Sequence, residues 1–194
     1  FDKYPRQLEK DSELLGEVGV DHLFAPSIED MYGKHHVTYV TPDGFDDIPE
    51  GRSRPGHFRG VATIVTKLFN VVQPTNAYFG QKDAAQCCLI RRIVEDLNMD
   101  LNVVVKDTVR EKDGLAMSSR NAYLNAEERK AAPIIYKALR TAREKFIENP
   151  SISSSDLAKT VESILRSEPL MGDIQYISVD SKATMQPVTN IGKE

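Results

Sequence analysis

The sequence predicts an α/β protein in which helices pack on a parallel sheet, followed by a smaller α+β region. Three observations carry this prediction. Across residues 57–72, Phe58, Val61, Ile64, Val65, Leu68, Phe69 and Val72 recur at helical spacing, and Pro74 ends the run. Ala77-Tyr78-Phe79 then reads as a buried strand. A helix over residues 84–97 follows, with Leu89, Ile90, Ile93, Val94 and Leu97 as its apolar stripe. Finally, the β-branched run at residues 101–105 reads as a fully buried strand. Strand, helix and strand within about 30 residues make a βαβ unit, which requires a parallel pair.

Upstream, Leu8, Leu14, Leu15 and Val18 space themselves among acidic residues as an amphipathic helix over residues 7–18, stopped by Gly19. His22-Leu23-Phe24-Ala25 and residues 36–41 read as short strands, Pro42-Asp43-Gly44 as a turn, and residues 45–55 as an irregular loop. Downstream, Asn125 with Glu128 three residues on reads as a cap and its N3 partner, opening a charged helix to about residue 147. Pro133 lies inside it and predicts a kink or a late start. Asn149-Pro150-Ser151 breaks the chain, Ser155 is expected to cap a helix through Leu165, and residues 174–179 alternate as a strand. The change of texture puts a domain boundary near Thr108 or Val109, giving regions 1–108 and 109–194. No internal repeat is visible.

A chain of 194 residues is one large or two small domains. The 25 Lys and Arg against 29 Asp and Glu give a net charge of −4, which argues against broad binding to a nucleic-acid backbone. A small phosphate-bearing ligand needs only a few placed cations and stays open. No apolar run approaches the roughly 18 residues of a membrane span. Cys87 and Cys88 are adjacent, a poor basis for a disulfide or a metal framework, and read as small apolar residues of a buried helix in a reducing compartment. No leader segment is visible in a chain that begins at Phe1.

Chemistry concentrates in two stretches. Gly80-Gln81-Lys82-Asp83 falls between the end of a strand and the start of a helix, at the carboxyl edge where open α/β sheets bind ligands. The helix N-terminus favours anions, Gly80 permits close approach, Lys82 supplies a cation, and Asp83 can accept from ribose hydroxyls. The plainer alternative makes Asp83 a helix cap and Lys82 a solvated loop residue. In the second stretch, residues 110–121, Ser118, Ser119 and Arg120 form a compact phosphate-binding set, with Gly114 as a hinge. Its alternative is a polar turn. His57 could act as a general acid or be structural. His35-His36 would point to opposite sides of a strand, and metal ligation by them is not expected.

Taken together, Tyr4-Pro5-Arg6, the segment from Arg54 to Val61 (RPGHFRGV), the segment from Tyr78 to Gln86 (YFGQKDAAQ) and the segment from Asp113 to Asn121 (DGLAMSSRN) resemble the pantothenate synthetase (pantoate–β-alanine ligase) family over nearly the whole chain. The resemblance implies a Rossmann-like nucleotidyl transferase domain, incomplete here, followed by a small α+β lid domain. It implies a carbon–nitrogen ligase that condenses pantoate with β-alanine through a pantoyl adenylate, with ATP as substrate and Mg2+ accompanying it. Gly80, Gln81, Lys82 and Asp83 would then contact ATP, with the backbone of Val109 at the adenine. Met117, Ser118, Ser119 and Arg120 would be a loop closing over the triphosphate, the counterpart of the KMSKS loop. Lys82, Ser118, Ser119 and Arg120 would be catalytic, Gln86 would bind pantoate, and His57 and Tyr4 would lie near the site.

The resemblance also implies a cytoplasmic homodimer, without nucleic-acid or membrane partners. Family members carry a His-x-x-His segment and a further pantoate-binding glutamine before the stretch corresponding to Phe1, and additional strands after that of Glu194. This chain has no His-x-x-His. It therefore reads as a fragment not competent alone, whose sheet would expose an apolar edge. Two other readings remain: another adenylate-forming transferase of the same fold, or a non-catalytic fragment.

Overall fold

The computed structural model describes residues 7–191. In chain order the elements are α1 (Leu8–Glu17), α2 (Ile28–Met31), α3 (Pro49–Ser53), α4 (His57–Val72), β1 (Asn76–Gly80), α5 (Ala84–Asp96) and β2 (Asn102–Lys106). A 3-10 turn (Ser119–Tyr123), α6 (Ala126–Ala131), α7 (Ile134–Glu148) and α8 (Ser154–Arg166) follow. The described residues fall into two units. One holds the chain up to Thr38 together with Ser118–Tyr123; the other holds Tyr39–Met117 and the chain from Leu124 onward.

In the larger unit, β1 and β2 pair in parallel, with Asn76 opposite Asn102 and Gly80 opposite Lys106. The crossover is α5, and α4 packs beside it. Leu89 and Ile90 of α5 and Phe58 and Ala62 of α4 are fully buried. Phe58 meets Phe45 edge-on at 5.3 Å, and Phe69 meets Phe79 at 6.4 Å. One core joins Phe45, Ile48, Phe58 and Leu89; a second joins Phe69, Ala77 and Ile90 beneath the strands. α7 and α8 form a helical hairpin around Ala138, Ala142, Leu157, Val161 and Leu165. Cys87 and Cys88 are buried on α5, as their sequence context predicts.

The Asn125 capping box is present: its side chain accepts from the amides of Glu127 and Glu128, and the Glu128 carboxylate accepts from the Asn125 amide at 2.8 Å. Pro133 splits the long charged segment into α6 and α7, since a proline ring and its missing N–H cannot continue the ladder.

Several expectations need correction. Ser153, not Ser155, caps α8, accepting from the Asp156 amide at 3.1 Å. Ser153 has the extended backbone that a cap requires, whereas Ser155 is already helical. None of the segments 22–25, 36–41 and 174–179 is a strand. A strand exists only through its ladder, and among the described residues none of the three has one. At Val40 a side chain stands in for the missing neighbour: Thr63 Oγ1 accepts from the Val40 amide at 3.0 Å. After residue 179 the chain finds a partner in itself, with Asp180 bridged antiparallel to Pro187. The loop at 45–55 is more ordered than expected. It contains α3, and its Phe45 and Ile48 are core residues. Gly51 fits there because a Cβ would collide with the Phe45 carbonyl oxygen.

Phe58 links α4 to both α5 and the 45–48 loop. Phe58→Ala is expected to cost about 3–5 kcal/mol in chemical denaturation, with an unchanged slope. A loss below about 1 kcal/mol would mean that this core is not formed in solution.

Candidate active site

Gly80–Asp83 leaves the carboxyl end of β1 and enters α5. The Gln81 amide donates to the Lys106 carbonyl at 2.8 Å, extending the parallel ladder one bond past the strands and holding the loop at the sheet edge. The Gly80 carbonyl accepts from the Asp83 amide and from the Cys87 thiol, both at 3.3 Å. Burial pushes the Cys87 and Cys88 thiols up, so both act as weak donors inside the fold.

Asp83 stands at the N-cap of α5, yet its side chain does not cap the helix. It faces Lys82 instead, Nζ to Oδ1 at 3.4 Å. The first-turn amides of α5 are therefore left without a side-chain acceptor, beside an exposed lysine. That is an anion-accepting arrangement, and it disfavours the reading of Asp83 as a plain cap. Gly80 is exposed, and a Cβ built on it would meet nothing within 4 Å, so there is open space over the backbone here. Gln86 is half-buried one turn into α5. Lys82, Ala84 and Ala85 also line one wall of a cavity of about 310 Å³.

The second stretch begins as a tight hairpin. Arg110 bridges Ala116, the Glu111 amide donates to Leu115, and the Met117 amide donates to the Val109 carbonyl at 2.9 Å. Val109 and Met117 are thus paired, and both are exposed. Gly114 is not a hinge. It is buried at φ +93°, and a Cβ there would strike the Tyr136 ring, so the turn is pinned against α7. The Arg110 guanidinium lies over that ring at 3.9 Å and donates to the Gly114 carbonyl at 3.1 Å. Asp113 accepts from the Leu115 amide and pairs with Arg129 at 2.6 Å. Hydrogen bonding from Arg129 holds its carboxyl below the usual carboxylate range.

Tyr136 and Arg129 were not legible as part of this stretch. Asp113-Gly114 itself is a strong hairpin signal. Ser118, Ser119 and Arg120 belong to the smaller unit, where the Arg120 amide donates to Ser118 Oγ at 3.2 Å and the Asn121 amide to the Ser118 carbonyl at 3.0 Å. His57 opens α4, its amide bonded to the Arg54 carbonyl and its ring 5.2 Å from Phe58. Tyr4 lies outside the described residues. The fold thus gathers Gly80, Gln81, Lys82, Asp83 and Gln86 at one loop and helix start, and pairs Val109 with Met117.

A family model described as pantoate-beta-alanine ligase matches residues 1–194. A pantothenate synthetase of Chloroflexus aurantiacus (strain J-10-fl) is 48% identical over 194 residues, covering all of this chain and 68% of that protein. One of Thermodesulfovibrio yellowstonii is 49% identical over 188 residues, 97% of this chain and 66% of that protein. The crystal structure of the pantothenate synthetase of Thermus thermophilus superimposes with a TM-score of 0.88 at 44% identity, covering 97% of this chain and 67% of that one. A Francisella tularensis pantoate-beta-alanine ligase complexed with beta-gamma ATP and beta-alanine gives 0.69 at 34% identity, covering 84% and 60%.

The fold and these likenesses define a carbon–nitrogen ligase built on an α/β nucleotidyl-transferase domain. The chain belongs to the pantoate–β-alanine ligase family, and it spans about two thirds of the length of the relatives it matches.

Two outcomes test the hairpin. Gly114→Ala is expected to lower the melting temperature, because neither the positive φ nor the Tyr136 ring accommodates a Cβ. Asp113 contributes stability above the ordinary carboxylate range and loses it as pH falls through its lowered value. Arg129→Ala should therefore move the Asp113 titration upward, read by carboxyl carbon NMR; an unmoved titration would show the ion pair to be absent in solution.

Proposed function

We propose that this chain supplies the nucleotide-handling and pantoate-handling surfaces for ATP-dependent condensation of pantoate with β-alanine. In the first half-reaction the pantoate carboxylate attacks the α-phosphate of ATP, giving pantoyl adenylate and pyrophosphate. In the second, the β-alanine amine attacks the acyl carbon of the mixed anhydride and AMP leaves, giving pantothenate. The observation that carries the residue assignment is the uncapped start of α5 beside Lys82, at the carboxyl edge of β1.

The first-turn amides and Lys82 meet the negative charge of the phosphates, and do so without reorganising. Asp83 accepts from the ribose hydroxyls, and the open space over Gly80 admits the sugar against the backbone. The Val109 backbone borders the adenine. Gln86, half-buried one turn along α5, orients pantoate. Met117, Ser118, Ser119 and Arg120 close over the triphosphate and exclude water from the adenylate. His57 has a lesser place near the site.

Among the described residues no group of three or more His, Cys, Asp or Glu side chains could cage a metal ion. Mg2+ would accompany ATP on the nucleotide phosphates, where it would offset their charge. We further infer a two-domain organisation with the boundary near Thr108, a homodimeric assembly and a cytoplasmic location. No helix among the described residues is long and apolar enough to cross a membrane.

The deciding experiment follows AMP release from ATP and Mg2+, with and without pantoate and β-alanine, and repeats it with other carboxylic acids. AMP release that depends on pantoate and β-alanine together supports the reading, whereas AMP release dependent on a different acid overturns it. Lys82→Ala is expected to lower pantoate-dependent ATP–pyrophosphate exchange by about 10²–10³-fold. Gly80→Ala gives the sharper test. The free protein has room for the methyl group, so its melting temperature should hold. ATP affinity should fall by roughly ten- to hundredfold, because the methyl group then crowds the sugar.

A further inference from the structure

The Gly80–Gln81 peptide opens the loop assigned to the nucleotide, and both of its polar groups are held. Its N–H donates to the Lys106 carbonyl of β2 at 2.8 Å. Its carbonyl accepts twice, from the Asp83 amide and from the Cys87 thiol, each at 3.3 Å. One peptide plane is thus pinned between a strand and a helix. Lys106 and Asp83 act through main-chain groups, which nearly every residue type carries. Cys87 acts through its side chain, so of these three restraints it is the one set by residue type.

Helix register makes the contact. The Cys87 amide donates to the Asp83 carbonyl at 3.0 Å, so Cys87 lies one turn into α5 with its side chain leaning back towards the strand end. That side chain is 4% exposed. A hydroxyl buried there would carry a larger desolvation cost, and an aliphatic group would leave the carbonyl with the Asp83 amide as its sole donor. A thiol packs as a small apolar residue and still donates weakly. Burial raises the thiol and keeps it protonated, as a donor must be.

Cys88 carries the same group one residue on. It is 6% exposed, burial raises its thiol likewise, and it donates to the Ala183 carbonyl at 3.2 Å, 95 residues away. The two thiols therefore tie α5 in two directions, Cys87 to the nucleotide loop and Cys88 to the turn at 181–186. Chemistry and burial match; the carbonyl differs.

We propose that Cys87 is a positioning residue for nucleotide binding: its thiol sets the plane of the Gly80–Gln81 peptide, and so the direction in which Lys82 and Asp83 leave the sheet. The inference rests on the ligase reading above and deepens it. Lys82, Asp83 and the first amides of α5 all follow that peptide within a few residues, so a rotation of its plane moves them together. Cys87 touches no reacting atom on this account. A buried, protonated thiol is also a poor nucleophile, so it takes no covalent part.

The test follows pantoate-dependent ATP–pyrophosphate exchange in the full-length enzyme. Cys87→Ala should raise the KM for ATP roughly three- to tenfold and leave the maximal rate within about twofold, because the loop shifts but no reacting group is lost. Cys88→Ala removes an equally buried thiol from the same helix and should leave the KM for ATP unchanged. Cys87→Ser keeps a donor at the position and should fall between the wild type and Cys87→Ala. An unchanged KM for ATP in Cys87→Ala overturns the proposal. So does an equal rise in Cys88→Ala, which would mark a general loosening of α5. A Cys87→Ser protein no better than Cys87→Ala overturns it too, by assigning the effect to packing.

Hydrogen–deuterium exchange provides a second measurement that does not use the reaction. The Gln81 amide should lose protection in Cys87→Ala and keep it in Cys88→Ala; equal protection in both overturns the proposal. Absence of pantoate-dependent ATP–pyrophosphate exchange in the wild-type enzyme would instead overturn the ligase reading, with the Gln81 amide still deciding whether Cys87 holds the loop.

Discussion

The parallel pairing of β1 with β2 across α5 is the constraint on which the rest of the larger unit depends. Parallel strands cannot be joined by a tight turn, so the crossover helix must pack on the sheet. Ile90 packs beneath the strands with Phe69 and Ala77, and Leu89 packs with Phe58 and Ile48. With that helix seated, the chain leaving Gly80 has only Gln81, Lys82 and Asp83 in which to reverse direction. Those residues therefore arrive at the carboxyl edge together with the start of α5, and the Gln81 to Lys106 bond holds them there. The site follows from the core packing rather than from any strong contact of its own.

The two motif stretches are held by different physics. The Gly80 loop is fixed through its backbone, by the ladder bond and by a carbonyl that the Cys87 thiol and the Asp83 amide share. Its charged side chains stay exposed, and Lys82 and Asp83 pair with each other. The 109–117 hairpin is fixed through side chains: an arginine over Tyr136, a glycine that only an absent Cβ lets against the same ring, and the Asp113–Arg129 pair. That pair is solvent-exposed and orients the turn more than it stabilises it. The Tyr136 contacts carry the packing. Both ways of anchoring leave the backbone of each stretch preorganised, with no reorganisation needed when a ligand arrives.

Much of this was legible locally. The 3.6-residue period of α4 and α5, the β-branched run of β2, the Asn125–Glu128 box and the break at Pro133 are each encoded within a few residues, and each element forms as read. The strands are less buried than expected: β2 is at most half-buried and Tyr78 of β1 is exposed, because burial depends on what covers the sheet and not on the strand's own composition. The misread segments share a cause. His22–Ala25, residues 36–41 and residues 174–179 have strand-like composition, but a strand is a relation between two segments, and composition describes only one. Phe45 and Ile48 were passed over for the opposite reason, since core residues in a loop leave no period to detect.

The site divides in the same way. Residue order alone determined the family, the βαβ unit and the placing of Gly80–Asp83 at a strand end and helix start, because those features are encoded at short range. Tertiary structure alone decided that the Asp83 side chain turns to Lys82 instead of capping α5, that Gly114 is pinned against Tyr136, and that Asp180 shares a cavity wall with Lys82. These depend on which surfaces meet after the helices have packed, and the free energy of such contacts between segments far apart in the chain is written in no single stretch of sequence.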